Sequence, residues 1–162
     1  MKKLNALGIG PKIALIAIPY FVGTYLLSIF YSEIFCVYRA HSRPFLITGI
    51  ILLSIGCVFY IVTAVLLLQG IRQTCLVTKG TYYLCQNPLY ASIILMVFPG
   101  VAFLMQSWLV LSSSLVGYLV FRIYIGSEYR EMETFFGEAY NSYRQSTPAF
   151  FPFPYKKWFG RN

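Results

Sequence analysis

The sequence predicts an all-α integral membrane protein with about four transmembrane helices and a cytoplasmic, amphipathic C-terminal helix. Of its 162 residues 58% are apolar and only 11% charged, whereas a soluble domain carries about a quarter charged residues to keep its surface wet. The apolar residues gather into four runs, at 13–31, 45–68, 89–105 and 107–124, each close to the roughly 20 residues a helix needs to cross hydrocarbon. The basic residues are also unevenly placed. With the N-terminus inside, Lys2, Lys3, Lys12, Arg72, Lys79, Arg122, Arg130, Arg144, Lys156, Lys157 and Arg161 fall on the cytoplasmic side, and only Arg39 and Arg43 fall outside. That asymmetry predicts a multi-pass protein with both termini cytoplasmic.

The first two runs contain no Asp, Glu, Lys or Arg. Lys2-Lys3 ahead of the first imitates a secretory signal, but the run is longer than an h-region and no small-residue cleavage site follows, so the segment is expected to stay. The third run begins after Pro88 and contains Pro99-Gly100, a pair that predicts a kink or close packing within a membrane helix. Gln106-Ser107 alone separates it from the fourth, which predicts a tight helical hairpin. The net charge of +8 then reads as orientation and contact with anionic headgroups, not as nucleic-acid binding, which needs a solvent-facing basic stripe on a folded domain. Cys36, Cys57, Cys75 and Cys85 show no C-x-x-C spacing and His41 is the sole histidine, so neither a disulfide framework nor a zinc site is expected. The chain reads as a single domain without repeats.

Two stretches exceed what membrane spanning requires, the linker 70–88 and the segment 125–162, and both face the cytoplasm in this topology. The linker is too polar to continue the second helix and too aromatic for a passive connector. Gly80 allows a turn, Pro88 suits the first turn of the third helix, and Asn87 is placed to cap it. In the C-terminal segment Met132, Phe135, Phe136, Ala139, Tyr140 and Tyr143 recur at helical spacing, which predicts one amphipathic helix. Glu128 stands at the end of the fourth run, close to where the third begins, where an acid can hold a polar ligand.

These residues resemble a family. Leu76-Val77-Thr78-Lys79-Gly80-Thr81-Tyr82, Asn87-Pro88-Leu89-Tyr90, then a hairpin, Glu128, Phe135-Phe136-Gly137-Glu138-Ala139-Tyr140-Asn141-Ser142-Tyr143 and Pro148 to Pro152 follow the order seen in membrane methyltransferases of the isoprenylcysteine carboxyl methyltransferase type, over roughly residues 70 to 154. The resemblance implies a small helical enzyme that takes S-adenosyl-L-methionine from the cytosol and a lipophilic or prenylated acceptor from the bilayer. It assigns cofactor binding to Leu76, Val77, Tyr82, Asn87, Pro88, Leu89, Tyr90 and Glu128, and an acceptor-facing position to Tyr124. These types suit a zwitterionic sulfonium nucleoside, which needs an apolar or aromatic wall, an acid and a site closed to water.

The chain departs from the family pattern at several positions. Gln86-Asn87 replaces the basic pair of the R-H-P-x-Y element, Tyr129 the second acid, Ser92 the following glycine, and Tyr124 the arginine that faces an acceptor carboxylate. Arg122 does not restore that charge, because two residues along a helix turn the side chain about 200 degrees away. The acceptor therefore stays open between a carboxylate and another nucleophile. A phospholipid N-methyltransferase remains the second enzyme reading, a sterol-reductase likeness is limited by the short chain, and a non-catalytic membrane partner with the same fold is the reading outside enzymes. No run carries an acid or base before Arg122, which weighs against a transport pathway.

Overall fold

The computed structural model describes residues 8–37 and 42–152. Lys2, Lys3, Arg39, His41, Lys156, Lys157 and Arg161 lie outside the described residues, as do positions 153–154 of the family-like stretch. Every regular element among the described residues is a helix, with one isolated bridge between Cys36 and Ser107. In order come α1 (Gly10–Phe30), the single turn α2 (Ser32–Phe35), α3 (Arg43–Gln73), the short α4 (Thr81–Leu84), α5 (Pro88–Met105), α6 (Trp108–Phe136) and α7 (Glu138–Ser146). Four of these, α1, α3, α5 and α6, are long and apolar enough to cross a membrane.

Packing follows small residues rather than large ones. Along α3 the buried positions are Gly49, Gly56, Thr63 and Gly70, one every seventh residue; Gly49 and Gly56 face α5, while Thr63 meets Thr81 of α4 and Gly70 meets Val77 of the linker. A Cβ built on Gly49 falls 2.9 Å from the carbonyl oxygen of Gly100, and one on Gly100 falls 3.1 Å from the backbone nitrogen of Leu53. The two backbones therefore touch, the mode of association available where no hydrophobic force separates helix from surroundings. On the opposite flank α1 runs antiparallel to α6, joined by hydroxyl pairs: Tyr20 with Ser112 at 2.9 Å, Thr24 with Ser113 at 3.0 Å and Ser28 with Ser107 at 2.7 Å. Phe21 of α1 also stacks on Phe98 of α5 at 4.7 Å. Small polar side chains are buried while many large apolar ones face outward. Ser92 and Thr63 are 0% exposed while Leu15 and Ile123 are 77% and 73% exposed.

The expected hairpin is present. Gln106 takes a left-handed conformation at φ 51° to end α5, and the Ser107 side chain accepts from Val110 N to start α6. Segment 36–37 covers this turn, with Val37 N donating to the Gln106 carbonyl at 2.9 Å. Pro99 neither ends α5 nor breaks it. A π-helical turn over Ile93–Val97 precedes it, with Phe98 N donating to Ile93 O; because proline brings no N–H to Leu95 O and crowds it, the wider turn absorbs the lost bond.

Three boundaries differ from the sequence-based expectation. α3 continues past 68 to Gln73, because Gly70 leaves room for Val77 to fold back over it. α6 does not stop at 124 but runs to Phe136: the apolar run ends there, yet the charged residues that follow are good helix formers. The stripe from Met132 to Tyr143 is not on one helix either. Gly137, at φ 55°, ends α6 and starts α7, and Ala139 is exposed while Tyr140 and Tyr143 are buried.

Candidate functional site

The end of the bundle opposite the hairpin turn gathers the residues singled out above. Tyr90, in the first turn of α5, donates from its hydroxyl to Glu128 Oε2 of α6 at 3.2 Å. The same oxygen accepts from Ile9 N, at the start of α1, at 3.4 Å. Gly8 lies against the carboxylate: a Cβ there falls 3.0 Å from Oε2 and 3.5 Å from Oε1, and its φ of 49° is one that glycine adopts at no cost. Tyr124, one turn before Glu128, is half-buried, with the Lys12 ammonium 6.0 Å from its ring centre.

The linker enters the site through Gln86 and Asn87. Asn87 sits at the N-cap of α5 but makes no side-chain cap bond, which corrects the capping expectation. Its amide instead donates to the Tyr129 hydroxyl at 2.9 Å and to the carbonyl of Ala149 at 2.7 Å. Gln86 uses its amide for the carbonyls of Arg144 and Thr147 and its backbone N–H for that of Pro148 at 2.9 Å. The chain after α7 is thereby held against the linker, and Phe150 is pressed between Tyr118 and Phe121 at 5.1 and 4.8 Å. From α7 itself, Tyr143 donates to the carbonyls of Tyr82 and Cys85, while the Arg144 guanidinium covers the Tyr129 ring at 4.7 Å.

The remaining positions are placed as follows. Pro88 is fully buried in the first turn of α5 and Leu89 beside it is half-buried. Ser92 returns its hydroxyl to Leu89 O at 2.7 Å. Val77 packs on Gly70 at the end of α3, and Leu76 is half-buried next to it; the polar contacts to Glu128 come instead from Tyr90 and Ile9. Burial, with the charge of Glu128 second, raises the Tyr82 phenol above its ordinary value. Sequence reasoning missed Gly8, Ile9 and Tyr143 as members of this cluster; the Gly8-Ile9-Gly10-Pro11 start of α1 was the available signal.

Cys85 is buried, and burial pushes its thiol up to about 12. Since the thiolate is the reactive form, Cys85 is expected to stay unmodified by a water-soluble maleimide at pH 8, while exposed Cys75 reacts. Peptide mapping after timed labelling checks this, and equal rates at the two positions would contradict the packing. Among the described residues no group of three His, Cys, Asp or Glu side chains is arranged to hold a metal.

Chemically the cluster offers the Glu128 carboxylate, the phenols of Tyr82, Tyr90, Tyr124, Tyr129 and Tyr143, the carboxamides of Gln86 and Asn87, and an apolar wall. One buried acceptor in it, Gln86 Oε1, has no hydrogen-bond partner. No family model, curated protein or solved structure matches the chain.

Proposed function

We propose that the protein is a membrane-embedded methyltransferase that uses S-adenosyl-L-methionine on a lipophilic acceptor, of the isoprenylcysteine carboxyl methyltransferase type. The observation that carries this reading is the Tyr90–Glu128 contact. Two positions assigned to the cofactor by the resemblance, 38 residues apart, meet at 3.2 Å at the end where the linker and the C-terminal segment converge. When bound, the cofactor supplies a methyl group on a sulfonium. Glu128 and Gln86 are the residues to receive its ammonium or hydroxyl groups, with Tyr82, Tyr90 and Pro88 as the less polar wall. The protein's contribution is positional, aligning acceptor and methyl group while excluding water.

Bilayer insertion is supported by the exposed apolar side chains on α1, α3 and α6. Of the described basic residues, Lys12, Arg72, Lys79, Arg122, Arg130 and Arg144 lie toward the site end and Arg43 toward the other, so the site and both termini are assigned to the cytoplasm. There α7, with its buried tyrosines and exposed polar side, serves as the amphipathic helix under the bundle. Calorimetric titration of S-adenosylmethionine and its demethylated product into purified protein in detergent is expected to show micromolar binding, lost in Glu128→Ala and Asn87→Ala. Folded protein that binds neither compound would overturn the reading. Methylated ethanolamine lipids in expressing cells would instead mark the phospholipid N-methyltransferase. One observation favours the non-catalytic alternative, namely that Glu128 already has two donors from within the chain.

A further inference from the structure

We propose that the first turn of α1 is a lid over Glu128, and that a ligand reaches this carboxylate only when Gly8 and Ile9 withdraw. The contact is specific to this geometry. Ile9 N donates to Oε2 at 3.4 Å, and Gly8 lies so close over the carboxylate that an added Cβ would stand 3.0 Å from Oε2 and 3.2 Å from Cδ. Tyr90 donates to the same oxygen from α5, and Gly10 is next to its hydroxyl, with a Cβ there 3.8 Å away. The side of the carboxylate facing α1 is thus closed by backbone.

The lid is anchored but separable. Ile9 is 3% exposed and Ile13 7%, both within the core made with Tyr90 and Ile125, so the closed form is held by burial. The lid residues are tied to the helix through the Ile9 carbonyl, which accepts from Lys12 N and Ile13 N, and Pro11 brings no N–H to this turn. Withdrawing Gly8 and Ile9 therefore costs those two bonds, the Ile9 N–Glu128 bond and the burial of one isoleucine, and leaves α1 from Gly10 onward against α6. Local opening of an element end is the kind of low-energy excursion that precedes ligand entry. The lid stands whichever ligand the site takes; that it excludes S-adenosylmethionine rests on the function proposed above.

The test is the rate at which an apolar carbodiimide modifies Glu128 in the full-length chain in detergent, read by mass spectrometry of the peptide. Exposed Glu133 and Glu138 serve as internal references. Gly8→Ala places a Cβ against the carboxylate and strains a positive φ, and Ile9→Ala keeps every backbone donor while removing the anchor. Both are expected to speed modification of Glu128 roughly tenfold by raising the open population, with the references unchanged. Gly23→Ala, at an α1 position with nothing within 4 Å, is expected to match the parent protein. Should Gly8→Ala fold poorly, Ile9→Ala still decides. Unchanged Glu128 rates in the variants overturn the lid, whether or not the cofactor binds. Accelerated rates that S-adenosylmethionine then suppresses support both lid and cofactor site, and accelerated rates indifferent to it leave the lid standing and remove the methyltransferase reading.

Discussion

Gly56→Leu is expected to destabilise the bundle by about 3 kcal/mol, the upper end for overpacking a well-filled interior. A bare Cβ at position 56 already falls 2.8 Å from Met96 Cβ and 3.4 Å from Val97 N. Neither atom lies at the free end of a side chain, so the two helices must part rather than a rotamer turn. Met96 and Val97 belong to the π-helical turn of α5, so Gly56 meets α5 where its backbone is widest. Separation there also disturbs Gly49 against Gly100, because both contacts belong to one rigid seam. Thermal unfolding in detergent, followed by size-exclusion recovery, should show Gly56→Leu largely lost at temperatures the parent survives. Gly23→Ala, whose Cβ meets nothing, should stay within about 0.5 kcal/mol of the parent. Equal stability of the two variants would mean that α3 and α5 are not in backbone contact.

The existence of the four long helices was legible because hydropathy alone decides whether a run of that length is apolar. Their ends were not, for a physical reason. An apolar run stops where charge begins, whereas a helix stops where its hydrogen-bond ladder stops, and Arg122 to Glu133 satisfy the ladder while breaking the run. Gly137 was visible in the sequence, but the apolar spacing of Phe135, Phe136, Ala139 and Tyr140 continues across it, so periodicity hid the break. Asn87 illustrates a different limit. The short carboxamide that makes a residue suitable for a cap also suits it to bridge two distant groups, and only the position of Ala149 and Tyr129 decides between them. The meeting of Tyr90 with Glu128 could be expected from the tight hairpin, which returns α6 alongside α5. The approach of Gly8 and Ile9 depends on the register of α1 against α6, set by the pairs at Thr24–Ser113 and Ser28–Ser107, and no local pattern encodes that register.

Asn87→Ala is expected to free the chain after α7 at a cost of about 2 kcal/mol, because it leaves the carbonyl of Ala149 without its donor and removes the tie to Tyr129. Asn87 is 6% exposed and Thr147 and Phe150 beside the tie are 0% and 4%, so water replaces the lost bonds poorly until the segment lifts away. The long helices do not depend on this contact, so the bundle should remain folded while residues 147–150 gain hydrogen exchange and become open to proteases. Asn87→Asp sharpens the argument, since an ionised carboxylate accepts only and sets like charge density against the Ala149 carbonyl; it should release the segment as fully as alanine does. Gln86→Ala removes the parallel ties to Arg144 and Thr147 but keeps the backbone bond to Pro148, and is expected to release it less. The double variant should show coupling, because both side chains hold the same six-residue stretch and each is worth more while the other keeps it in place. Protection of residues 147–150 that survives in Asn87→Ala would mean that Phe150, packed on Tyr118 and Phe121, anchors the segment by itself. Loss of cofactor affinity in Asn87→Ala would then have to come from Asn87 directly rather than through the displaced segment.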